Sequence, residues 1–252
     1  MTRNTDKEKK LAVLLIGLPH DTGTVYWYDS VESTMDAGFA LGDVEDRSII
    51  VSDVQTTGRG RKGRRWYSND GSLLCAVVLT RFDIRIPYSM LASYGVYRAL
   101  LRHGGTVTLK WINDVLWKNG RKVSGVIAEE RRGRTVIGIG VNLNNRELAP
   151  EVASQATSFR METGREVDLL LFLRDMAGEL FSILDSAESD GIEAVMEEWE
   201  KDSAIRGKSV RVVDGSREYT GKSAGIDRKT GALLLQTPEG EIQVFEGSMY
   251  YR

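Results

Sequence analysis

The sequence predicts an α+β protein, a mixed β-sheet with packed helices followed by a small C-terminal SH3-like β-barrel. Two observations carry this. Short β-rich runs alternate with helical patterns through most of the chain. After about Ala204 the helical pattern stops, and short strand candidates separated by Asp-Gly and Glu-Gly turn signals follow one another.

Taken in order, the first helix is expected at Ser33 to Leu41, with Ser33 at the cap and Asp36 three residues on. Strands are expected at Ser48 to Ser52 and Leu73 to Leu79, both rich in β-branched or apolar residues. A helix at Ser89 to Arg102 then precedes strands at Val107 to Trp111, Val123 to Ala128 and Val136 to Leu143. Two more helices follow, Leu169 to Leu184 after a capping Asp168, and Ile192 to Trp199. The C-terminal strands are expected at Val210 to Val213, Glu218 to Lys222, Ala232 to Gln236 and Ile242 to Phe245. The domains are drawn at residues 1–203 and 204–252, the second too small to carry a large pocket alone and expected to dock on the first.

The 252 residues, 41% of them hydrophobic, suffice for a real core and exclude a disordered chain. The 34 basic and 36 acidic side chains nearly cancel, so any basicity is local. The one cysteine, Cys75, sits in an apolar run, which excludes an intrachain disulfide and points to a buried thiol in a reducing compartment. The apolar stretch Leu11 to Leu18 follows basic residues as a secretory signal would, but it is short and leads into Pro19-His20-Asp21 instead of small residues. No stretch is long enough for a membrane span, and a cytoplasmic protein is expected. His20 and His103 have no acid or cysteine at ligand spacing, so no zinc site is expected.

The most informative segment is Gln55 to Trp66, which interleaves Gly58, Gly60 and Gly63 with Arg59, Arg61, Lys62, Arg64 and Arg65. Glycines let backbone amides approach a ligand, and guanidinium forks reach phosphate oxygens. Cationic repulsion and glycine entropy oppose order in the empty loop, leaving a bound polyanion to close it. Alone, such a run reads equally as a solvated basic loop or a nucleic-acid patch.

Four further motifs surround it: Ser33-Thr34-Met35, Lys110-Trp111-Ile112-Asn113-Asp114, Lys122-Val123-Ser124-Gly125-Val126-Ile127-Ala128-Glu129, and Gly138-Ile139-Gly140-Val141-Asn142-Leu143-Asn144. With the glycine-arginine loop, in this order and spacing, the chain resembles the biotin protein ligases, the biotin–[biotin carboxyl carrier protein] ligases, along essentially its whole length. It resembles the form lacking an N-terminal DNA-binding domain. The resemblance implies the biotin/lipoate ligase catalytic fold and a two-step reaction. Biotin and ATP, with Mg2+, give biotinyl-5′-adenylate and pyrophosphate, and a lysine of a biotin carboxyl carrier protein then takes the biotinyl group. It implies no DNA and no membrane partner; an edge strand is left to serve either a homodimer or the carrier.

By the same resemblance, Lys122 contacts the biotin carboxyl and the adenylate phosphoryl, Arg59 and Arg61 bind the carboxylate and phosphate region, and Gly60 lends a backbone amide. Lys110 serves phosphate, and Asp114 serves metal or acceptor-lysine positioning. Ser33, Thr34 and Gln55 hydrogen-bond the ureido ring, with Met35, Gly58 and Gly125 also on the biotin side. Trp66, Asn113 and Asn142 are placed with the nucleotide. No protein metal site is expected beyond the few oxygens that accompany MgATP. Met35 replaces an asparagine common in the family and Ile112 a proline, which leaves the charged groups untouched.

Residue by residue, blander readings compete. Ser33 reads as a helix cap, Lys122 as a surface lysine, and Trp66, Trp111 and Trp117 as core. Three functions compete with biotin ligation. A lipoate–protein ligase shares the chemistry but uses a different arginine and glycine signature. A nucleic-acid module needs an extended basic stripe. A non-catalytic biotin or adenylate sensor sits poorly with intact Arg59, Arg61, Lys110 and Lys122.

Overall fold

The structure is a computed structural model that describes residues 1–18, 20–68, 70–81 and 88–251, so Pro19 of the Pro19-His20-Asp21 turn lies outside it. The chain runs α1 (Thr5–Leu15), β1 (Val25–Val31), α2 (Thr34–Ala40), β2 (Ser48–Gln55), β3 (Ser72–Leu79), α3 (Tyr88–Arg102), β4 (Val107–Lys110), β5 (Asp114–Trp117), β6 (Lys122–Arg131) and β7 (Arg134–Asn142). It continues through α4 (Phe159–Thr163), α5 (Leu169–Ser189) and α6 (Ile192–Ser203), then β8 (Ser209–Asp214), β9 (Arg217–Ile226), β10 (Leu233–Thr237), β11 (Gly240–Val244) and β12 (Ser248–Tyr251).

The first seven strands form one sheet in the order β1-β2-β3-β7-β6-β5-β4. It is mixed because β1 and β2 pair in parallel, which requires a crossover, and α2 supplies it. At its centre, all eight residues of β3 are buried, so its sequence Ser72–Leu79 reads as a continuous apolar run without alternation. Helices α3 and α5 pack on one face around Phe172, Phe181 and Met90. The other face is covered by α2, whose Met35 and Ala37 meet Ile50, Ala76, Val78 and Val136.

The second sheet is antiparallel, in the order β11-β10-β9-β8-β12. Its Val210, Val212, Leu233 and Met249 belong to the same apolar cluster as the main sheet, so the core is continuous. Polar contacts fix the junction. Trp111 Nε1 donates to the Gly231 carbonyl at 2.9 Å, and buried Glu200 of α6 accepts from Arg206 at 2.6 Å and from the Ile226 amide at 3.3 Å.

The predicted elements are present, with five additions: α1, β1, β5, α4 and β12. Helix α1 absorbs most of the apolar stretch that imitates a signal. Asn4 caps it by accepting from the Lys7 amide, and Leu11 and Leu15 are buried one turn apart. Val13 and Ile16 stay 68% and 83% exposed. Among the described residues no helix is long and apolar enough to cross a membrane. Asp168 caps α5 as expected, accepting from the Leu170 and Leu171 amides, whereas Ser33 makes no side-chain cap bond at α2.

Candidate functional site

Where the glycine-arginine loop crosses the main sheet, a cavity of about 560 Å³ opens between β6, β7, the Trp111–Asn113 turn and the β11–β12 turn. Glycine builds its floor. A Cβ on Gly140 would stand 2.5 Å from Trp66 Cζ2, and one on Gly138 would stand 2.6 Å from Met35 Cγ. The indole and the thioether therefore lie flat on β7. Trp66, for which a core reading competed with a place beside the nucleotide, lines the cavity, with Nε1 buried and without a partner.

Of the residues singled out from sequence, Ser33, Thr34, Met35, Gln55, Arg59, Gly60, Arg61 and Trp66 line this cavity, as do Lys110, Asn113, Asp114, Lys122, Gly125 and Asn142. Gly58 does not. It lies on the outer face of the loop, and its missing side chain is explained by the Trp66 carbonyl, 2.7 Å from where a Cβ would be. The Gly60 amide is also not free to meet a ligand, because it donates to the Arg64 carbonyl at 2.7 Å.

One end of the cavity is neutral. Ser33 is 2% exposed with its hydroxyl uncommitted as a cap, while Thr34 donates both its amide (2.8 Å) and its hydroxyl (3.0 Å) to Gln55 Oε1. Gln55 is thereby oriented with its NH2 left as a donor. Met35, Cys75, Ile127 and Ile139 supply apolar walls, and burial pushes the Cys75 thiol up to about 12, so it stays protonated.

The other end is cationic. Arg61, Arg64, Lys110 and Lys122 gather there around Asp114, the one carboxylate lining the cavity among the described residues; Arg65 and Arg121 also line the cavity, and Arg59 lines it from the α2 side. Asp114 Oδ1 pairs with Lys122 Nζ at 2.6 Å. Lys122 also lies 5.7 Å from the Trp66 ring centroid, within cation–π reach. Burial holds the Lys110 ammonium below lysine's ordinary pKa, against the pull of Asp114. Burial likewise lowers the Arg61 guanidinium, again opposed by Asp114.

The loop is more tied down than repulsion among its cations implies, because acids partner them. Arg59 bridges Asp36 (2.7 Å) and Glu129 (3.2 Å), and Lys62 meets Asp214 (2.8 Å). Asp36 thus serves Arg59 and not a capping box. Arg61 Nη1 donates to Asn113 Oδ1 at 2.9 Å, while Asn113 Nδ2 donates to the Val126 carbonyl at 2.6 Å. Asn142 Nδ2 donates to the Thr157 carbonyl. Each asparagine thus commits one amide N–H to a backbone carbonyl, which fixes the orientation of its side chain.

Sequence reasoning missed two groups of lining residues. Gly247, Ser248, Met249 and Tyr250 come from the β11–β12 turn and β12, with Lys110 Nζ 5.6 Å from the Tyr250 ring centroid. The second group, Leu148, Val152, Gln155 and Ala156, comes from irregular chain beside β6, where the Lys122 amide donates to the Gln155 carbonyl at 2.8 Å. The histidines stand elsewhere, paired with Asp185 and Asp175. No cluster of three metal-ligating side chains occurs among the described residues.

Comparison with known proteins agrees with this geometry. The biotin/lipoate A/B protein ligase family matches residues 27–144, and the biotin protein ligase C terminal domain matches residues 206–248. A biotin–[acetyl-CoA-carboxylase] ligase of Paracoccus denitrificans is 31% identical over 205 residues, covering 76% of this chain and 85% of that protein. The bifunctional ligase/repressor of Escherichia coli is 30% identical over 207 residues, and the match covers 78% of this chain but 64% of the relative's length. The solved structure of the Aquifex aeolicus biotin protein ligase in complex with biotin and ATP superimposes with a TM-score of 0.82 at 28% identity, over 90% of this chain and 98% of the other.

Proposed function

The chain belongs to the biotin/lipoate A/B protein ligase family, and on that premise we propose that it is an ATP-dependent biotin protein ligase. It forms biotinyl-5′-adenylate and transfers the biotinyl group to a lysine of a biotin carboxyl carrier protein. One observation carries this reading: a single cavity with a neutral hydrogen-bonding end and a cationic end, joined by the Lys122–Asp114 pair.

Biotin's ureido ring is neutral and needs donors and acceptors inside apolar walls, which Ser33, Thr34 and the Gln55 amide provide. Its carboxylate is ionised at neutral pH, so adenylation needs positioning and charge relief more than a base. The carboxylate oxygen bonds to the α-phosphorus while the bond to the bridging oxygen breaks and pyrophosphate leaves. Lys122, Arg61 and Arg59 offset the charge on the two anions, and Lys110 with Arg64 faces the departing phosphates. In the second step the neutral carrier amine attacks the acyl carbon, the acyl C–O bond breaks so that AMP leaves, and the proton shed by the nitrogen passes to solvent. Asp114, the carboxylate lining the cavity among the described residues, supports a role in holding that amine. Magnesium would enter as MgATP; with Asp114 the one carboxylate lining the cavity among the described residues, the nucleotide's phosphates and water would supply most of its ligands. A cytoplasmic setting and no DNA partner belong to the same proposal.

The test is incubation with biotin, MgATP and a purified carrier domain, read by intact mass. One biotinyl addition on the carrier, dependent on ATP, supports the proposal, and an unmodified carrier with AMP-free solution refutes it.

A further inference from the structure

The glycine-arginine loop is attached to the second sheet at three points. Lys62 Nζ lies 2.8 Å from Asp214 Oδ1, Arg61 Nη1 donates to the Gly247 carbonyl at 3.3 Å, and Arg64 Nη2 approaches Ser248 Oγ at 3.4 Å. Asp214 ends β8 at the tip of the β8–β9 hairpin, where Gly215 turns the chain with φ +58°. Lys62 itself sits in the left-handed region at φ 56°, which a non-glycine residue adopts only where its surroundings hold it. That conformation carries its side chain away from the cavity: Lys62 is the one loop cation from 59 to 65 that does not line it. The ion pair is shielded, with the Lys62 and Asp214 side chains 35% and 28% exposed.

We propose that Lys62 and Asp214 form a latch by which the second sheet holds the glycine-arginine loop closed over the acyl-adenylate, making Asp214 a positioning residue for retention of that intermediate. The inference rests on the ligase reading above and deepens it. Neither residue touches the reacting atoms. Arg61, one residue before Lys62, faces the phosphate end of the cavity, so loosening the latch lets Arg61 withdraw and the reactive anhydride escape before a carrier arrives. Formation of the adenylate depends on Lys122, Lys110 and Arg61 once they are in place, whereas its retention depends on how long the loop stays shut.

The test compares wild type, Asp214→Asn, Asp214→Lys and the swap Lys62→Asp with Asp214→Lys, each loaded with radiolabelled biotinyl-adenylate made in place. Release is followed after dilution into unlabelled adenylate, together with labelling of a bystander protein. Asp214→Asn should release adenylate about two- to fivefold faster, the scale of one partly exposed ion pair. Synthesis should stay within about twofold, and the swap should recover most of the loss. Hydrogen exchange of amides 58–66 should quicken in Asp214→Asn and slow again in the swap. In wild type, raising salt should move release toward the Asp214→Asn value. Release as slow as wild type in Asp214→Asn and Asp214→Lys, or a salt-independent wild-type rate, overturns the latch while leaving the ligase reading intact. A wild-type protein that makes no adenylate overturns both.

Discussion

Lys122 reaches Asp114 by lying across Gly125. In the β5–β6 pairing Asp114 stands opposite Gly125, and a register shift between Val115 and Leu116 brings Lys122 opposite Leu116. A Cβ on Gly125 would fall 2.6 Å from Lys122 Nζ. The ammonium therefore occupies the space of an absent side chain, 2.6 Å from Asp114 Oδ1.

Gly125→Ala should spare the fold, because the displaced atoms are the end of a flexible side chain, yet it should lower the adenylation rate at least about tenfold. Lys122→Ala should lower it by about 10²–10³ with thermal unfolding little changed. Pyrophosphate exchange and calorimetry on both variants check this; near-normal exchange in Lys122→Ala removes that residue from the mechanism.

Arg61→Gly should weaken retention of the adenylate more than it slows synthesis. Asn113→Ala should do the same to a smaller degree, since Asn113 Oδ1 accepts from Arg61 Nη1. Nonspecific lysine labelling of added albumin reads the leak; unchanged adenylate dissociation in Arg61→Gly contradicts the assignment.

Lys110 is held below lysine's ordinary pKa by burial. Its charged form is thus lost at a lower pH than an exposed lysine's, and MgATP affinity should begin to fall on the alkaline side earlier than a value of 10.5 implies. Lys110→Arg keeps the charge and should move that fall to higher pH. The ATP KM measured against pH for both proteins decides it.

Gly140→Ala and Gly138→Ala should both be costly, but only the second should be rescued by shortening the neighbour it meets. The first pushes on the indole of Trp66, a rigid group, and is expected to cost about 1–3 kcal/mol and shift tryptophan emission. The second pushes on the flexible Met35 chain and should be relieved by Met35→Ala. Denaturant unfolding of the single and double variants tests the contrast.

Glu162 ties α4 to the cavity rim, accepting from Thr157 (2.6 Å), Asn119 (2.9 Å) and Arg121 (2.5 Å). Burial raises its pKa, but those hydrogen bonds outweigh burial and the net direction is down. Its stabilising contribution is therefore present above the unfolded carboxylate's pKa and lost as pH falls through the lower folded value. Glu162→Gln should cost about 1–2 kcal/mol at neutral pH, with the gap to wild type closing in acid. Unfolding free energies measured from neutral to acidic pH check the sign.

Much of this was readable beforehand, and what escaped did so for definite reasons. The loop from Gln55 to Trp66 and the strand from Lys122 declare themselves because their chemistry is local in sequence. The central strands announce themselves by burial on both faces, as in Ser72–Leu79. β1 was missed because exposed Asp29 and Ser30 interrupt its apolar pattern before buried Val31. β5 and β12 have only four residues each, too few for a period. Three local arrangements escaped for a common reason. Trp66 on Gly140, the Gly60 amide on Arg64, and Asp36 on Arg59 all depend on contacts that composition does not reveal. The share taken by the second sheet, through Gly247 to Tyr250, is likewise a product of docking.

The most direct test of the central claim is ATP–pyrophosphate exchange by the purified protein with magnesium, in the presence of biotin, of lipoate, or of neither. The site described here predicts exchange with biotin and none without an acid. Exchange with lipoate alone, or no exchange above background in any arm, would contradict it.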